Sequence, residues 1–204
     1  MSRRSLKQEL LNVPNLLTLG RILLIPVFLV VLARGGRGSS FVAAWIFIVA
    51  GLTDIIDGYL ARRFNLITVI GKFLDPIADK LMVMAALVML QHLGRVPAWV
   101  VIVVLAREFV INALRTLAMS EGVVIAAGAG GKLKTSTQIV ALVALVIHYT
   151  YTIDFFFFEA EVSAHRVGIW LLYISLVPGV LSAIDYFRGF WAGLDQGGGA
   201  AGEP

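Results

Sequence analysis

Asp54-Ile-Ile-Asp57-Gly58-Tyr-Leu-Ala61-Arg62, followed eight residues later by Gly71-Lys-Phe-Leu-Asp75-Pro-Ile-Ala-Asp79, sets four carboxylates in stretches apolar enough to enter a bilayer. An ionised Asp near the centre of a membrane helix costs about 2.5–3.5 kcal/mol, and four so close together repel one another. A bound cation removes both penalties. Carboxylate oxygens are hard donors that suit Mg²⁺ or Mn²⁺ better than zinc. The chain has no Cys, so thiolate metal sites and disulfides are excluded.

The rest of the composition agrees with a membrane setting. Hydrophobic residues make up 59% of the 204 positions and charged residues 15%, and the mean hydropathy is +0.88, which is far outside the range of water-soluble domains. The expected fold is an all-α integral membrane bundle of six transmembrane helices. Stretches long enough to cross about 30 Å of hydrocarbon lie near 16–33, 41–60, 74–93, 97–119, 137–157 and 167–190. Six spans return the chain to the side on which it began. Arg3, Arg4, Lys7, Arg62, Arg63, Lys72, Lys132, Lys134 and Arg188 fall on the side of the termini, against Arg34, Arg37, Arg95 and Arg166 on the other. The bias of basic residues towards the cytoplasm predicts cytoplasmic termini and puts the acidic residues at the cytoplasmic ends of spans two and three. The first apolar run resembles the core of a signal peptide, but Arg21 interrupts it and Asn12, Asn15 and Thr18 make its entry too polar. Residues 1–191 are expected to form one six-helix transmembrane domain, and 192–204 a disordered Gly-rich tail.

At 100° per residue, Asp54, Asp57, Gly58 and Ala61 fall in a sector of roughly 100° on one helix face. Gly71, Asp75 and Asp79, spaced by four, do the same on the next helix. Together the two faces make a pocket with four acids and little side-chain bulk. Gly58 and Ala61 let a bulky ligand approach the backbone, and Arg62 stands where it could meet a phosphate. Two plainer readings stay open: small residues also serve close helix packing, and each Asp could simply pair with Arg62, Arg63, Lys72 or Lys80. Pro76 suits an early helical position, which places Asp75 near the start of span three.

These residues spell D-x-x-D-G-x-x-A-R, eight residues, then G-x-x-x-D-x-x-x-D. The pattern resembles the signature of the CDP-alcohol phosphatidyltransferase family, with every defined position filled. The chain is also similar to one branch, the bacterial phosphatidylglycerophosphate synthases, in three further blocks. These are Asn12-Val-Pro14-Asn15-Leu-Leu-Thr18-Leu-Gly-Arg21, Arg107-Glu108-Phe-Val-Ile-Asn-Ala-Leu-Arg115 and Gly131-Lys132-Leu-Lys134-Thr135-Ser-Thr-Gln138. The resemblance implies six membrane helices, a homodimer, and transfer of the phosphatidyl group of CDP-diacylglycerol to an alcohol with release of CMP. In this branch the alcohol is sn-glycerol 3-phosphate. By motif position, Asp54, Asp57, Asp75 and Asp79 would hold two divalent ions, Mg²⁺ or Mn²⁺. Gly58, Ala61, Arg62 and Gly71 would surround the CDP end of CDP-diacylglycerol, and Asp79 would be the general base. The location implied is a bacterial inner membrane, with lipids as surroundings and no nucleic-acid partner.

An anionic acceptor needs fixed positive charge beside the acids, and Arg107, Arg115, Lys132 and Lys134 supply it, with Lys80 next to Asp79. Glu108, Asn112 and Arg115 lie close to one stripe of span four, and Arg107 lies off it. Arg107 could equally be a Glu-paired or snorkelling arginine, and Lys132 and Lys134 could be topology determinants at anionic headgroups. His92, His148 and His165 lack ligand spacing, while Asn15, Thr18 and Arg21 either cap and anchor the first helix or, as their place in the similar block implies, take part in the site. A divalent-cation transporter would also explain buried acids, but no inverted halves or matched broken helices are visible. Within the enzyme class, inositol phosphate or serine is the competing acceptor, because the shared motif reads only the CDP end of the donor.

Overall fold

The computed structural model describes residues 12–64, 69–120, 129–154 and 159–199. The side chains of 13–14, 60–62, 69–70, 72–73, 75–76, 129–133, 153–154, 159–160 and 192–199 lie outside that description. Among the described residues there are six helices: α1 (Val13–Ala33), α2 (Arg37–Arg63), α3 (Val69–His92), α4 (Ala98–Ser120), α5 (Ala129–Ile147) and α6 (Ala164–Gly199). Between α5 and α6 lies a hairpin of β1 (Thr150–Asp154) and β2 (Glu159–Ser163).

Local sequence accounts for the helix boundaries. Pro14 sits in the first turn of α1, where its missing N–H costs nothing. After Ala33, Gly35 and Gly36 adopt φ of +69° and +85°, a left-handed pair that reverses the chain into α2 within three residues and that a side chain would strain. α5 stops at His148, a non-Gly residue at φ +65°.

The described chain forms two compact units. The first comprises Met1–Arg95 and Val143–His165, and in it α1 packs on α2 and α3. Phe28 of α1 meets Phe47 of α2 at 5.9 Å between ring centroids. Ala43, Ala50, Ala78 and Ala86 are fully buried, the small residues that let membrane helices approach closely where lipid supplies no hydrophobic drive. The second unit comprises Val96–Leu142 and Arg166–Pro204. Its core includes Val100, Val104, Ile111, Leu172 and Phe190, with Trp99 stacked on Tyr173 at 5.8 Å.

The fifth predicted span, 137–157, is corrected. Its helix begins earlier, at Ala129, and ends at Ile147, and its apolar part, Lys134–Ile147, is short for a bilayer. Thr150–Asp154 is a strand, paired antiparallel from Thr150↔Ser163 to Asp154↔Glu159. Its alternating β-branched and aromatic residues favour a pleated strand, and the left-handed turn at His148 separates it from the helix. Phe155–Phe158 lie outside the described residues.

Three helical stretches are long and apolar enough to cross a membrane by length and composition: Asn15–Ala33, Arg37–Tyr59 and Ala164–Trp191. Ionic residues interrupt the others, Asp79 and Lys80 in α3 and Arg107, Glu108 and Arg115 in α4. α6 continues to Gly199, past the Trp191 at which the tail was expected to begin; residues 200–204 lie outside the described part.

Candidate active site

On α1, Asn15, Thr18 and Arg21 recur every three residues and are all buried. They form a polar stripe on an otherwise apolar helix, facing inward. Arg21 ends this stripe against α2. Its two terminal nitrogens divide between two carboxylates: Nη1 donates to Asp54 Oδ1, and Nη2 donates to Asp57 Oδ2 at 2.6 Å. The Arg21 side chain is 2% exposed, Asp57 4% and Asp54 37%. Asp57 is thus sealed in while Asp54 keeps an open edge. Helical spacing of three brings both acids onto the face that α1 covers, as expected for Asp54 and Asp57.

The sequence named Arg62, Arg63, Lys72 and Lys80 as pairing partners for the acids; among the described residues Asp54 and Asp57 form ion pairs with Arg21. Arg63 instead donates to the Tyr59 hydroxyl and stacks 5.7 Å over that ring. Gly58 is half-buried on α2 and Gly71 buried on α3. Asp79 is exposed on α3 with Lys80 half-buried beside it. Asp75, Ala61 and Arg62 lie on α3, α2 and α2, and their side chains are outside the described residues. Among the described residues no three His, Asp or Glu side chains cluster as a metal site. Asp54 and Asp57 nevertheless converge on one cationic group through oxygen donors, which is the donor set that a hard divalent ion takes.

Of the basic residues expected at the acceptor, Lys80 lies in the first unit and Arg107, Arg115, Lys132 and Lys134 in the second, where Glu108 joins Arg107 to Lys134. Lys134 Nζ donates to Glu108 Oε1, and Arg107 Nη1 donates to the same oxygen at 3.0 Å. Arg107 also reaches α6, donating from Nε to the Gly179 carbonyl at 3.2 Å and from Nη2 to Ser182 Oγ at 2.6 Å. Arg107 is therefore Glu-paired, the alternative left open by its sequence. A cleft beside this network is lined by Val104, Arg107, Lys134, Ser175 and Gly179. Gly179 lies against the Lys134 stem, and a Cβ there would meet Lys134 Cγ at 3.4 Å, an ordinary contact. Arg115 is further along α4, its Nε 3.4 Å from the Tyr186 hydroxyl and its guanidinium 5.7 Å over that ring. The side chain of Lys132 lies outside the described residues.

The sequence offered Glu108 as part of a polar stripe and as a partner for Arg107, and left Arg21 between a helix anchor and a site residue, but it joined neither Glu108 to Lys134 nor Arg21 to the acids. The available signals were the spacing of Asn15, Thr18 and Arg21, and an acid adjacent to Arg107 in an apolar helix.

Apolar helices of membrane-spanning length, with guanidinium and carboxylate groups buried along their faces, define an integral membrane protein with a functional polar interior. The CDP-alcohol phosphatidyltransferase family matches residues 11–181, and the chain belongs to it. Its six helices fit the all-α membrane fold of that family. The chain is 40% identical over 195 residues to the CDP-diacylglycerol–glycerol-3-phosphate 3-phosphatidyltransferase of Bacillus subtilis, covering 90% of this chain and 97% of the relative. It is 38% identical to the Haemophilus influenzae protein of the same name, with 87% and 92% covered. A probable phosphatidylglycerophosphate synthase of Mycobacterium tuberculosis is 37% identical, with 88% and 82% covered.

Proposed function

We propose that this chain transfers the phosphatidyl group of CDP-diacylglycerol to sn-glycerol 3-phosphate, giving phosphatidylglycerophosphate and CMP. The observation that carries this reading is the convergence of Asp54 and Asp57 on one cationic group within a family motif filled at every position. Relatives that match nearly end to end bear the name of this reaction. The acceptor hydroxyl attacks the phosphorus of the phosphatidyl group, and the bond from that phosphorus to the CMP oxygen breaks.

Asp54, Asp57, Asp75 and Asp79 would hold two divalent ions, Mg²⁺ or Mn²⁺, which when bound neutralise the diphosphate and stabilise the CMP leaving group. Asp79, the exposed acid, takes the proton of the attacking hydroxyl. Gly58, Ala61 and Gly71, small by residue type, would leave room for the nucleotide, and Arg62 would supply charge for the diphosphate. Arg107, Arg115, Lys132 and Lys134, with Lys80, supply charge for the acceptor phosphate. The distribution of Lys and Arg supports cytoplasmic termini and an active site open to the cytoplasm of a bacterial inner membrane, where the chain works as a homodimer.

The test supplies purified protein in detergent with CDP-diacylglycerol and, in turn, sn-glycerol 3-phosphate, inositol phosphate and serine. CMP release with glycerol phosphate alone is expected. Release with another acceptor would overturn the substrate assignment, and divalent-ion flux in vesicles without any CMP release would overturn the class.

A further inference from the structure

Arg21 engages its acids in an unusual way. A guanidinium commonly gives two parallel hydrogen bonds to a single carboxylate. Here it gives one nitrogen to Asp54 and the other to Asp57. It bridges two carboxylates from different turns of α2, as a shared cation would. Arg21 and Asp57 are almost wholly buried there, while Asp54 keeps an open edge. A divalent ion held by the same two oxygens would put twice the guanidinium's charge between them, and in a poorly solvated site that difference is felt strongly. Arg21 Nε is buried without a hydrogen-bond partner among the described residues. The described contacts of the head group are thus the two that its terminal nitrogens make with the carboxylates.

We infer that Arg21 is a resident stand-in for the metal. It holds Asp54 and Asp57 together while no divalent ion is bound and gives way when one binds. This role rests on the reading of those two acids as metal ligands. Arg21 is a positioning residue in it: without a cation between them, two ionised carboxylates one turn apart would repel and splay. An arginine that only supports the site predicts the opposite consequence of its removal, since loosened acids would bind an ion less well. The sign of the change therefore decides between the two.

The experiment measures Mn²⁺ binding to the full-length protein in detergent, without CDP-diacylglycerol, by the electron paramagnetic resonance signal of free Mn²⁺. Wild type, Arg21→Gln, Arg21→Lys and Asp57→Asn are compared, together with their melting temperatures with and without Mn²⁺. Arg21→Gln is expected to bind Mn²⁺ several-fold more tightly than wild type. It should melt lower than wild type without metal and gain more from Mn²⁺, as ligand linkage requires. Arg21→Lys, which keeps a charge but loses the two-pronged reach, should be intermediate. Unchanged or weaker Mn²⁺ binding in Arg21→Gln overturns the inference; if that variant does not fold, the same result in Arg21→Lys does so. Loss of Mn²⁺ binding in Asp57→Asn without a gain in the arginine variants removes the stand-in role and leaves the metal reading intact. Mn²⁺ binding in Asp57→Asn as tight as in wild type removes the metal reading itself, and this role with it.

Discussion

Asp79 and Asp54 belong to the same motif but stand in different surroundings, and their substitutions should fail differently. Asp79 is exposed on α3, whereas Asp54 is tied to a buried arginine. Asp79→Asn is expected to lower turnover by about 10²–10⁴-fold, the usual worth of a positioned base, while CDP-diacylglycerol still binds. Asp54→Asn should weaken metal and donor binding together. Equal losses of donor binding, measured by equilibrium titration, would remove the case for Asp79 as base. Arg115→Ala should raise the KM for glycerol phosphate with little change in that for the donor, and an unaltered KM would exclude Arg115 from the acceptor site. The motif acids could be identified from sequence because helical spacing alone puts Asp54 and Asp57 on one face. Their partner could not, since Arg21 lies 33 and 36 positions away and only the packing of α1 on α2 joins them. Of the two partners of Glu108, Arg107 was legible as its neighbour, whereas Lys134 was not, because it comes from α5, 26 residues on.

At the scale of elements, Arg95 shows how a loop charge becomes structural. Counted in the sequence as a residue outside the membrane, it is buried and donates to the carbonyls of Leu145 and Val146 at 3.3 and 2.8 Å and to Ser40 Oγ at 3.2 Å. It caps the C-terminal end of α5, where carbonyls lack helical partners and the macrodipole favours a cation. Arg95→Met is expected to cost roughly 1.5–3 kcal/mol, seen as a lower melting temperature in detergent and faster amide exchange at the end of α5.

The hairpin beyond it should be pH-sensitive. His148 packs against His165 with 4.9 Å between ring centroids and against Tyr149 at 5.3 Å, and the His165 N–H donates to the His148 carbonyl at the neck of the hairpin. Burial, then the Arg95 charge, then His165 hold the His148 pKa below the ordinary 6.5. The unfolded chain binds more protons in that interval, so stability is complete above about pH 6.5 and is lost as pH falls through the folded value. Exchange of hairpin amides, corrected for intrinsic rate, should accelerate on acidification in wild type but not in His148→Asn; the same pH response in both would exclude His148 as its source. Five of the six helices were readable from apolar length to within a few residues at most ends. The fifth was not, because hydropathy cannot separate an apolar helix end from an apolar strand, and the left-handed turn at His148 carries no sequence mark as plain as glycine.

For the whole molecule, composition alone fixed the membrane class, because a chain with 59% hydrophobic residues has too little polar surface to fold in water. The division into two units, with α5 contributing to both, was not readable, since it depends on long-range packing rather than local pattern. The four motif acids and Lys80 fall in one unit, and Arg107, Arg115 and Lys134 in the other. The most direct measurement is CMP release from CDP-diacylglycerol by the purified protein with glycerol phosphate present, before and after chelation of divalent ions. Release should stop with the chelator and return with Mg²⁺ or Mn²⁺ in wild type, and should not return in Asp57→Asn. Release that persists undiminished through chelation, or in Asp57→Asn, would contradict a reaction built on carboxylate-held metal ions.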